Sequence, residues 1–168
     1  ATEQNGHTQM VSVVKIDLDN PMNFSSLCLL TEAHGLFASA DHLYLHARGE
    51  ESTIVHKISL GNEIRYQATA SVVGTLGWQS SAQFRLAERD GKLLAVTTVG
   101  AWSQDPEHML HILEQHGSEL VEIATLPNES QPAPIGKPGE AIYAVRFFED
   151  RAFIVTFEQV DPLYVIDL

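Results

Sequence analysis

A short strand-like motif, Lys15-Ile16-Asp17-Leu18, occurs early in the chain, and three similar motifs follow it. Its later copies are Lys57-Ile58-Ser59-Leu60, His111-Ile112-Leu113-Glu114 and Val165-Ile166-Asp167-Leu168. The steps between copies are roughly 40–55 residues long, close to the period of repeats that contribute several strands per unit. The repetition of this motif therefore predicts that the chain is built from a repeated structural unit.

Between the copies, short apolar runs alternate with turn signals, and there is little helical periodicity. Runs that are rich in β-branched and aromatic residues and bounded by Gly, Pro, Asn or Asp are typical of strands. Asp90-Gly91 lies between two such runs and is the strongest hairpin signal in the chain. Asp41 and Asp150 also precede apolar runs. The pattern predicts about thirteen strands, in groups of two, four, four and three.

Groups of four strands that repeat along a chain are typical of β-propeller blades, each a four-stranded antiparallel sheet. We therefore predict an all-β fold built from such blades. Because propellers normally close with roughly four to eight blades, about three blades' worth of strands predicts an incomplete ring with two open edges. A β-sandwich and a mixed α+β fold are the alternatives, since sandwiches also contain short strands at regular spacing. Repetition of a whole four-strand unit favours the propeller.

The predicted units form a single propeller segment over residues 1–168, with a flexible N-terminus at residues 1–10. The other predicted parts are a partial blade at 11–30, full blades at 35–74 and 82–126, and a second partial blade at 141–168.

The charge balance bears on the kind of partner. The 168-residue chain has 10 Lys and Arg residues against 22 Asp and Glu residues, a formal net charge of -12. A surface of this sign opposes a phosphate backbone, whose binding depends on clustered cationic side chains. Nucleic acid is therefore not predicted as a partner. Solubility accounts for such an acidic surface, and a divalent cation or a basic partner is the alternative.

The apolar runs are far shorter than the ~20 residues of a transmembrane helix, so no membrane span is predicted in this chain. The start, Ala1-Thr2-Glu3-Gln4-Asn5, lacks the basic and apolar regions of a signal peptide. Any export signal or anchor is expected to lie outside this chain. The single cysteine, Cys28, lies in the apolar stretch Leu27-Cys28-Leu29-Leu30 and is expected to be a buried thiol that acts as a small hydrophobe.

The last third of the chain resembles a known family. The resembling segments are Gly139-Glu140-Ala141-Ile142-Tyr143-Ala144-Val145-Arg146-Phe147, Asp150-Arg151-Ala152, Val155-Thr156-Phe157, Val160-Asp161-Pro162-Leu163 and Val165-Ile166-Asp167-Leu168. They are similar to the signature of the secreted bacterial and archaeal beta-propeller domain family, which is distantly related to WD40 repeats. Thr53-Ile54-Val55-His56-Lys57-Ile58 and Ala70-Ser71-Val72-Val73-Gly74 resemble the same family, so the similarity covers at least residues 53–168.

The resemblance implies an extracytoplasmic propeller that is secreted, periplasmic or tethered to a membrane. The family pattern usually continues past the final Asp-Leu with a Ser-Asp-Pro turn and further strands. On this ground the chain is expected to be a fragment of a larger propeller.

Three histidines are weak candidates for a metal site. His42 and His46 flank Tyr44 at two-residue spacing, so on a strand all three side chains share one face. His34, across the predicted hairpin, would supply a third ligand. Polar residues on an exposed strand face give the same pattern, so no metal site is predicted.

Arg146 is the charge that most needs an explanation. Strand alternation puts Tyr143, Val145 and Phe147 on one face and Arg146 on the other. A guanidinium that projects from an otherwise apolar strand needs a carboxylate or carbonyl partner. An intramolecular ion pair is expected, and a ligand carboxylate in the propeller channel is the alternative. The expected intramolecular partners are Glu140, Glu149 and Asp161.

The other strand histidines are interpreted as structural. His108 and His111 lie three residues apart, which puts them on opposite faces of a strand, and both are expected to be solvent-exposed or edge residues. His56 is expected to form a hydrogen bond across its blade.

No catalytic motif, phosphate-binding glycine loop or paired-cysteine motif is found in the sequence, and neither catalytic residues nor a cofactor are predicted. The favoured function is a non-catalytic extracytoplasmic propeller module that binds a protein, peptide or polysaccharide partner through its loops and faces. The alternative is part of a secreted polymer-degrading hydrolase or lyase whose catalytic residues lie in blades outside this chain.

The open blade edges predict a further kind of partner. They expose unpaired backbone N–H and C=O groups, which are templates for pairing with another strand. We expect the segment to pair with another copy of itself or with the missing blades of its own protein.

Overall fold

The chain folds into antiparallel strands joined by turns and loops. The structure is a computed structural model and describes residues 9–77, 79–157 and 163–168. The strands are β1 (Met10–Ile16), β2 (Phe24–Leu30), β3 (Gly35–Ala38), β4 (His42–Arg48), β5 (Ser52–Ser59), β6 (Arg65–Val73), β7 (Leu86–Arg89), β8 (Lys92–Val99), β9 (Glu107–His116), β10 (Glu119–Leu126), β11 (Ala141–Phe148), β12 (Arg151–Phe157) and β13 (Leu163–Asp167). A short helix, α1 (Gln79–Ala82), and a 3-10 turn (Gln83–Arg85) precede β7.

The strands pair with their neighbours in chain order. β1 and β2 form a two-stranded sheet, β3–β6 a first four-stranded meander, β7–β10 a second four-stranded meander, and β11–β13 a three-stranded sheet. The two meanders meet at their last strands through one parallel residue pair, Thr69 and Glu119. This is an all-β, incomplete propeller of four-stranded antiparallel units, so the predicted fold class is confirmed.

Apolar clusters lie between neighbouring sheets, which therefore pack face to face. Leu45 and Ile58 pack with Val11 and Val13 of the two-stranded sheet. Tyr44 and Leu113 belong to a cluster between the two meanders. Leu110 of the second meander packs with Val145 and Ile154 of the three-stranded sheet.

Strands in the middle of this stack are buried on both faces. In β4, Leu45 and Tyr44 contribute to different clusters because successive side chains point to opposite faces. The central residues of β8 are buried without interruption from Leu93 to Thr98. Burial on both faces explains why these strands read as nearly continuous apolar runs in the sequence.

The Asp90-Gly91 turn has the geometry that the sequence predicts. Both residues have positive φ, 49° for Asp90 and 75° for Gly91. Positive φ at both central positions is typical of a two-residue hairpin turn whose twist matches that of the strands. The turn therefore fixes the register of β7 against β8, which pairs Arg89 with Lys92.

The sequence pattern predicts a strand from Ala82 onward, and this start is wrong by four residues. Ala82 is helical, with φ -55° and ψ -40°, and extended structure begins only at Leu86. The helical turn carries Arg85 into the interior, where 6% of it remains exposed.

The prediction of a buried cysteine is also wrong. Cys28 is exposed on β2, because the alternation of the strand turns Leu27 and Leu29 toward the two-stranded sheet's apolar cluster. Its Sγ lies 3.3 Å from the hydroxyl of Ser12 on β1.

The two outer sheets expose apolar side chains on the faces turned away from the stack. Val14 and Phe24 are 51% and 63% exposed on the two-stranded sheet. Phe157 and Val165 are 69% and 51% exposed on the three-stranded sheet. Within the described ranges, no helix is long and apolar enough to cross a membrane.

Candidate functional site

A cleft of about 640 Å³ opens at one end of the two meanders. It lies where β4 ends and β5 begins, beside the loops that follow β6 and β8. Its walls include Arg48, Thr53, Thr75 and Trp102. Loops and strand ends on a rigid sheet scaffold are common positions for binding residues, so this cleft is the candidate site.

Arg48 and Trp102 stand together at the mouth of the cleft. The guanidinium carbon of Arg48 lies 5.9 Å from the centre of the Trp102 ring, within the range of a cation–π contact. Trp102 is 68% exposed on the loop after β8. A large aromatic surface beside a cation is therefore accessible to a ligand.

His34 and His46 form one side of the cleft. The backbone N–H of Arg48 donates to Nδ1 of His34 at 3.0 Å, so the proton of the neutral His34 ring is on Nε2. Burial, and secondarily the neighbouring His34, lower the pKa of His46, which favours its neutral form. A Cβ added at Gly35 would lie 2.5 Å from Nε2 of His46, so this ring packs directly on the backbone of β3.

The inner wall of the cleft is fixed by hydrogen bonds between strands. The hydroxyl of Thr53 donates to the carbonyl of Gly74 at 2.9 Å. Thr75 and Thr98 exchange two backbone hydrogen bonds of 2.9 and 2.8 Å. The loop after β6 is thereby tied to β8, and the cleft is formed before any ligand arrives.

Arg85 lies behind this wall and is buried. Its Nη1 donates to the hydroxyl of Thr98 at 2.9 Å, and its Nη2 donates to the carbonyl of Ile142 at 3.4 Å. Burial lowers the pKa of Arg85 to about 10. A Cβ at Gly77, which lines the cleft, would meet Nη2 of Arg85 at 2.8 Å, so the guanidinium lies directly beneath the cleft wall.

The structure separates the three histidines that the sequence groups together. His34 and His46 line the cleft, whereas His42 lies at the other end of β4 with its Nδ1 2.7 Å from Oε1 of Glu88. This is an ion-pair distance, although His42 Nδ1 makes no well-aligned hydrogen bond. Among the described side chains, no group of three or more His, Cys, Asp or Glu residues could hold a metal ion.

Glu88 is the centre of a second polar cluster, between the first strands of the two meanders. It accepts a hydrogen bond from the hydroxyl of Ser39 in addition to its contact with His42. Burial, followed by the negative charge of Glu88, raises the pKa of Tyr44 well above its usual range. Lys57 lies with its Nζ 6.0 Å from the centre of the Tyr44 ring. This face of β4 is therefore an interior surface between the meanders, not an exposed polar one.

Arg146 does not form the ion pair that the sequence predicts with Glu140 or Glu149. Its guanidinium lies 4.1 Å from the centre of the Phe84 ring, and its Nη1 donates to the carbonyl of Val145 at 2.7 Å. Asp161, the third expected partner, lies outside the described residues.

The expected strand alternation around Arg146 also changes. A register shift between Ile142 and Ala144 displaces Tyr143, which is 73% exposed while Val145 is buried. The two residues therefore do not share a face, because a bulge interrupts the period of two.

His108 and His111 are buried, so their interpretation as solvent or edge residues is wrong. They are 3% and 1% exposed. His108 Nδ1 lies 3.0 Å from the hydroxyl of Thr98, and its Nε2 lies 2.8 Å from the carbonyl of Glu140. His111 lies between the Thr97 hydroxyl and the Glu122 carboxylate, at 2.9 and 2.6 Å.

His56 forms the cross-strand hydrogen bonds expected of it. Its Nδ1 lies 3.0 Å from the Tyr66 hydroxyl on β6, and its Nε2 lies 3.0 Å from the Thr31 hydroxyl. These contacts join the first meander to the segment after β2.

A family model described as "Beta propeller domain" matches residues 1–168. The chain belongs to this family. Two curated relatives are similar to it: an uncharacterized protein of Methanocaldococcus jannaschii, 38% identical over 87 residues, and an uncharacterized protein of Archaeoglobus fulgidus, 36% identical over 123 residues.

These matches cover 51% and 73% of the chain but only 12% and 17% of the relatives. The propeller chain thus corresponds to a small part of each relative's length. No solved structure matches it significantly.

Proposed function

We propose that this propeller chain is a non-catalytic binding module and that its cleft binds a protein, peptide or polysaccharide partner. The observation that carries the proposal is the pre-formed cleft with Trp102 exposed at its mouth. Binding sites are typically concave, with an apolar or aromatic surface and a few fixed polar groups. Ala47, Leu76 and Ala82 supply the apolar part, and Arg48 and His34 supply polar groups.

The chemistry of the cleft supports binding over catalysis. Acid–base hydrolysis of a polymer needs a carboxylate or another titratable group placed against the bond that breaks. The described residues that line the cleft include no carboxylate. His34 and His46 remain, and His46 packs on the backbone of Gly35.

We further infer an extracytoplasmic location, on the basis of the family resemblance. The excess of acidic over basic residues, a net charge of -12, is compatible with a solvent-exposed surface. Protease accessibility of the native protein in intact cells tests this location. Digestion without cell lysis is expected, and protection until lysis would contradict it.

Trp102→Ala is expected to weaken binding of the cleft's ligand by at least about tenfold, because aromatic anchors dominate contact energy in such sites. Panels of soluble polysaccharides and of peptides, screened by affinity electrophoresis and calorimetry, would identify the ligand. Tyr143→Ala is the matched control, since Tyr143 is also a largely exposed aromatic but lies on the three-stranded sheet. Equal affinity for the Trp102→Ala variant and the unaltered chain would place the binding surface elsewhere.

We also propose that the outer sheets pack against further blades, or against a second copy when the chain is isolated. Their exposed apolar faces support this, as do strand edges that no other described strand pairs with. Light scattering is then expected to give a mass above the 18.5 kDa of one chain, rising with concentration.

Val165→Lys, on the free edge strand β13, is expected to shift this association toward monomer. Leu18→Lys is the control, because Leu18 is 91% exposed and follows β1 outside any strand. A monodisperse monomer for the unaltered chain, or an equal effect of both variants, would contradict the proposal.

A further inference from the structure

The described lining of the cleft carries one full positive charge, on Arg48, in a strongly acidic chain. The formal net charge of the chain is -12, with 22 Asp and Glu residues. The described lining of the cleft nevertheless contains Arg48, His34 and His46 and no carboxylate. The nearby Glu50 and Glu51 are exposed in the β4–β5 turn and are not lining residues.

Neither arginine at this site is neutralised by a described carboxylate. Arg65 and Arg151, on the outer surface, form ion pairs of 2.7 and 2.8 Å with Glu63 and Asp167. In the part of the chain that the structure describes, Arg48 and Arg85 have no carboxylate within 4.0 Å.

Arg85 strengthens the field inside the cleft without lining it. Its guanidinium lies against the backbone of Gly77 and is held by neutral acceptors, the Thr98 hydroxyl and the Ile142 carbonyl. A buried charge is screened much less than an exposed one, so its field extends into the cleft. Arg48 at the mouth is free to donate two parallel hydrogen bonds to a carboxylate.

We propose that the cleft binds an acidic polysaccharide, with one uronate unit placed against the exposed surface of Trp102 and beside Arg48. This inference rests on the proposed binding function and names its ligand class. The Arg48 guanidinium would pair with the sugar carboxylate, and the exposed indole would stack against the C–H face of the sugar ring. The Nε2–H of His34 would donate to a ring hydroxyl.

The strand pairing favours a polysaccharide over an acidic peptide. Extended peptides usually add to a sheet through an unpaired strand edge. The strands that border the cleft, β4 and β5, are each paired on both sides, β4 with β3 and β5, and β5 with β4 and β6. The cleft thus offers side chains and an aromatic face but no backbone edge from those two strands.

Calorimetry with a matched pair of ligands tests the inference. The probes are tetragalacturonate and its fully methyl-esterified form, which keeps the sugar rings and removes the charges. The intact chain is expected to bind the acid at least about tenfold more tightly at low salt, and added salt should reduce this preference.

Arg48→Gln is expected to abolish the preference for the acid. Arg65→Gln is the matched control, since Arg65 is an arginine at the opposite end of its strand from the cleft, and it should leave both affinities within about twofold. Circular dichroism of each variant should be unchanged, because both arginines are exposed.

Each of the other possible results overturns one part of the proposal. If the intact chain binds the acid and the ester equally and Trp102→Ala binds neither, the requirement for charge is overturned and the proposed binding function stands. Tighter binding of a polyglutamate peptide than of the acid would overturn the polysaccharide class. No binding of either sugar would overturn the inference, and the wider ligand panel would then decide the proposed function separately.

Discussion

Tyr44→Ala is expected to lower the free energy of unfolding by about 3–5 kcal/mol, the usual range for removing a large buried aromatic side chain. Tyr44 is 0% exposed and belongs to the apolar cluster between the two meanders. Its ring lies 5.9 Å from that of Phe37, and Lys57 lies over one face. Alanine would leave a cavity where the two meanders meet, which close-packed neighbours fill only in part.

Tyr44→Phe is the matched control and is expected to change stability far less. The Tyr44 hydroxyl is buried and makes no well-aligned hydrogen bond with a described residue, so little is lost with the oxygen. Urea denaturation followed by circular dichroism measures both variants. Similar losses for alanine and phenylalanine would show that the hydroxyl group, not ring packing, stabilises the contact between the meanders.

The strands were predictable because their signals are local. Alternating apolar residues and turn residues such as Asp90-Gly91 specify extended segments and reversals within a few positions. Repetition of those segments then indicates the propeller. The start of β7 was missed because the helical turn at Ala82 carries Arg85 inward, and a charged residue gives no local sign that it will be buried.

His108 and His111 do lie on opposite faces of β9, as predicted, but the prediction that they are exposed is wrong because this strand is buried on both faces. His108 and His111 look like surface residues in sequence, but one faces the three-stranded sheet and Glu140, and the other faces the Thr97 hydroxyl. Only the packing of neighbouring sheets supplies these partners. The bulge at Tyr143 likewise depends on the pairing of β11 with β12.

The candidate site could be predicted only in part. The sequence indicates His46 through its spacing from Tyr44 and His34 through its position across the hairpin, and these two do come together in the cleft. Trp102 comes from the loop after β8 and Arg85 from the 3-10 turn before β7, and nothing in their local sequence relates them to Arg48. A cleft assembled from six separate segments of the chain is therefore seen only in the tertiary structure.

Acidification from pH 7.5 to 5.5 is expected to destabilise the protein, and His108 and His46 are the expected cause. Burial, and secondarily Arg85, lower the pKa of His108, although its contacts with Glu140 oppose the shift. Burial and His34 lower the pKa of His46. In the unfolded chain both would titrate near 6.5, so the unfolded state binds more protons than the folded state just below that pH. Stability is therefore complete above about pH 6.5 and falls as pH decreases toward the folded pKa values.

Burial is the main reason why the charged form of His108 is disfavoured, and its hydrogen bonds fit the neutral ring. Arg85 donates to the Thr98 hydroxyl, which can then donate to Nδ1 of His108, while Nε2–H donates to the carbonyl of Glu140. Protonation of Nδ1 would require the Thr98 hydroxyl to turn and accept from both the imidazolium and Arg85, and would add a positive charge near Arg85. Each histidine can contribute at most about 1.4 kcal/mol per pH unit.

His108→Gln and His46→Gln are expected to flatten the pH dependence, even if each variant is less stable at pH 7.5. Urea denaturation at pH 7.5, 6.5 and 5.5 measures the slope. The pKa values of Asp17, Glu63 and Glu140 are lowered from already acidic values, so these carboxylates titrate below the tested range of pH 5.5 to 7.5. His116→Gln, at the exposed end of β9, is the control and should keep the slope of the unaltered chain. An unchanged slope when both histidines are replaced in one chain would show that neither couples proton binding to folding, and that the loss of stability begins at another group.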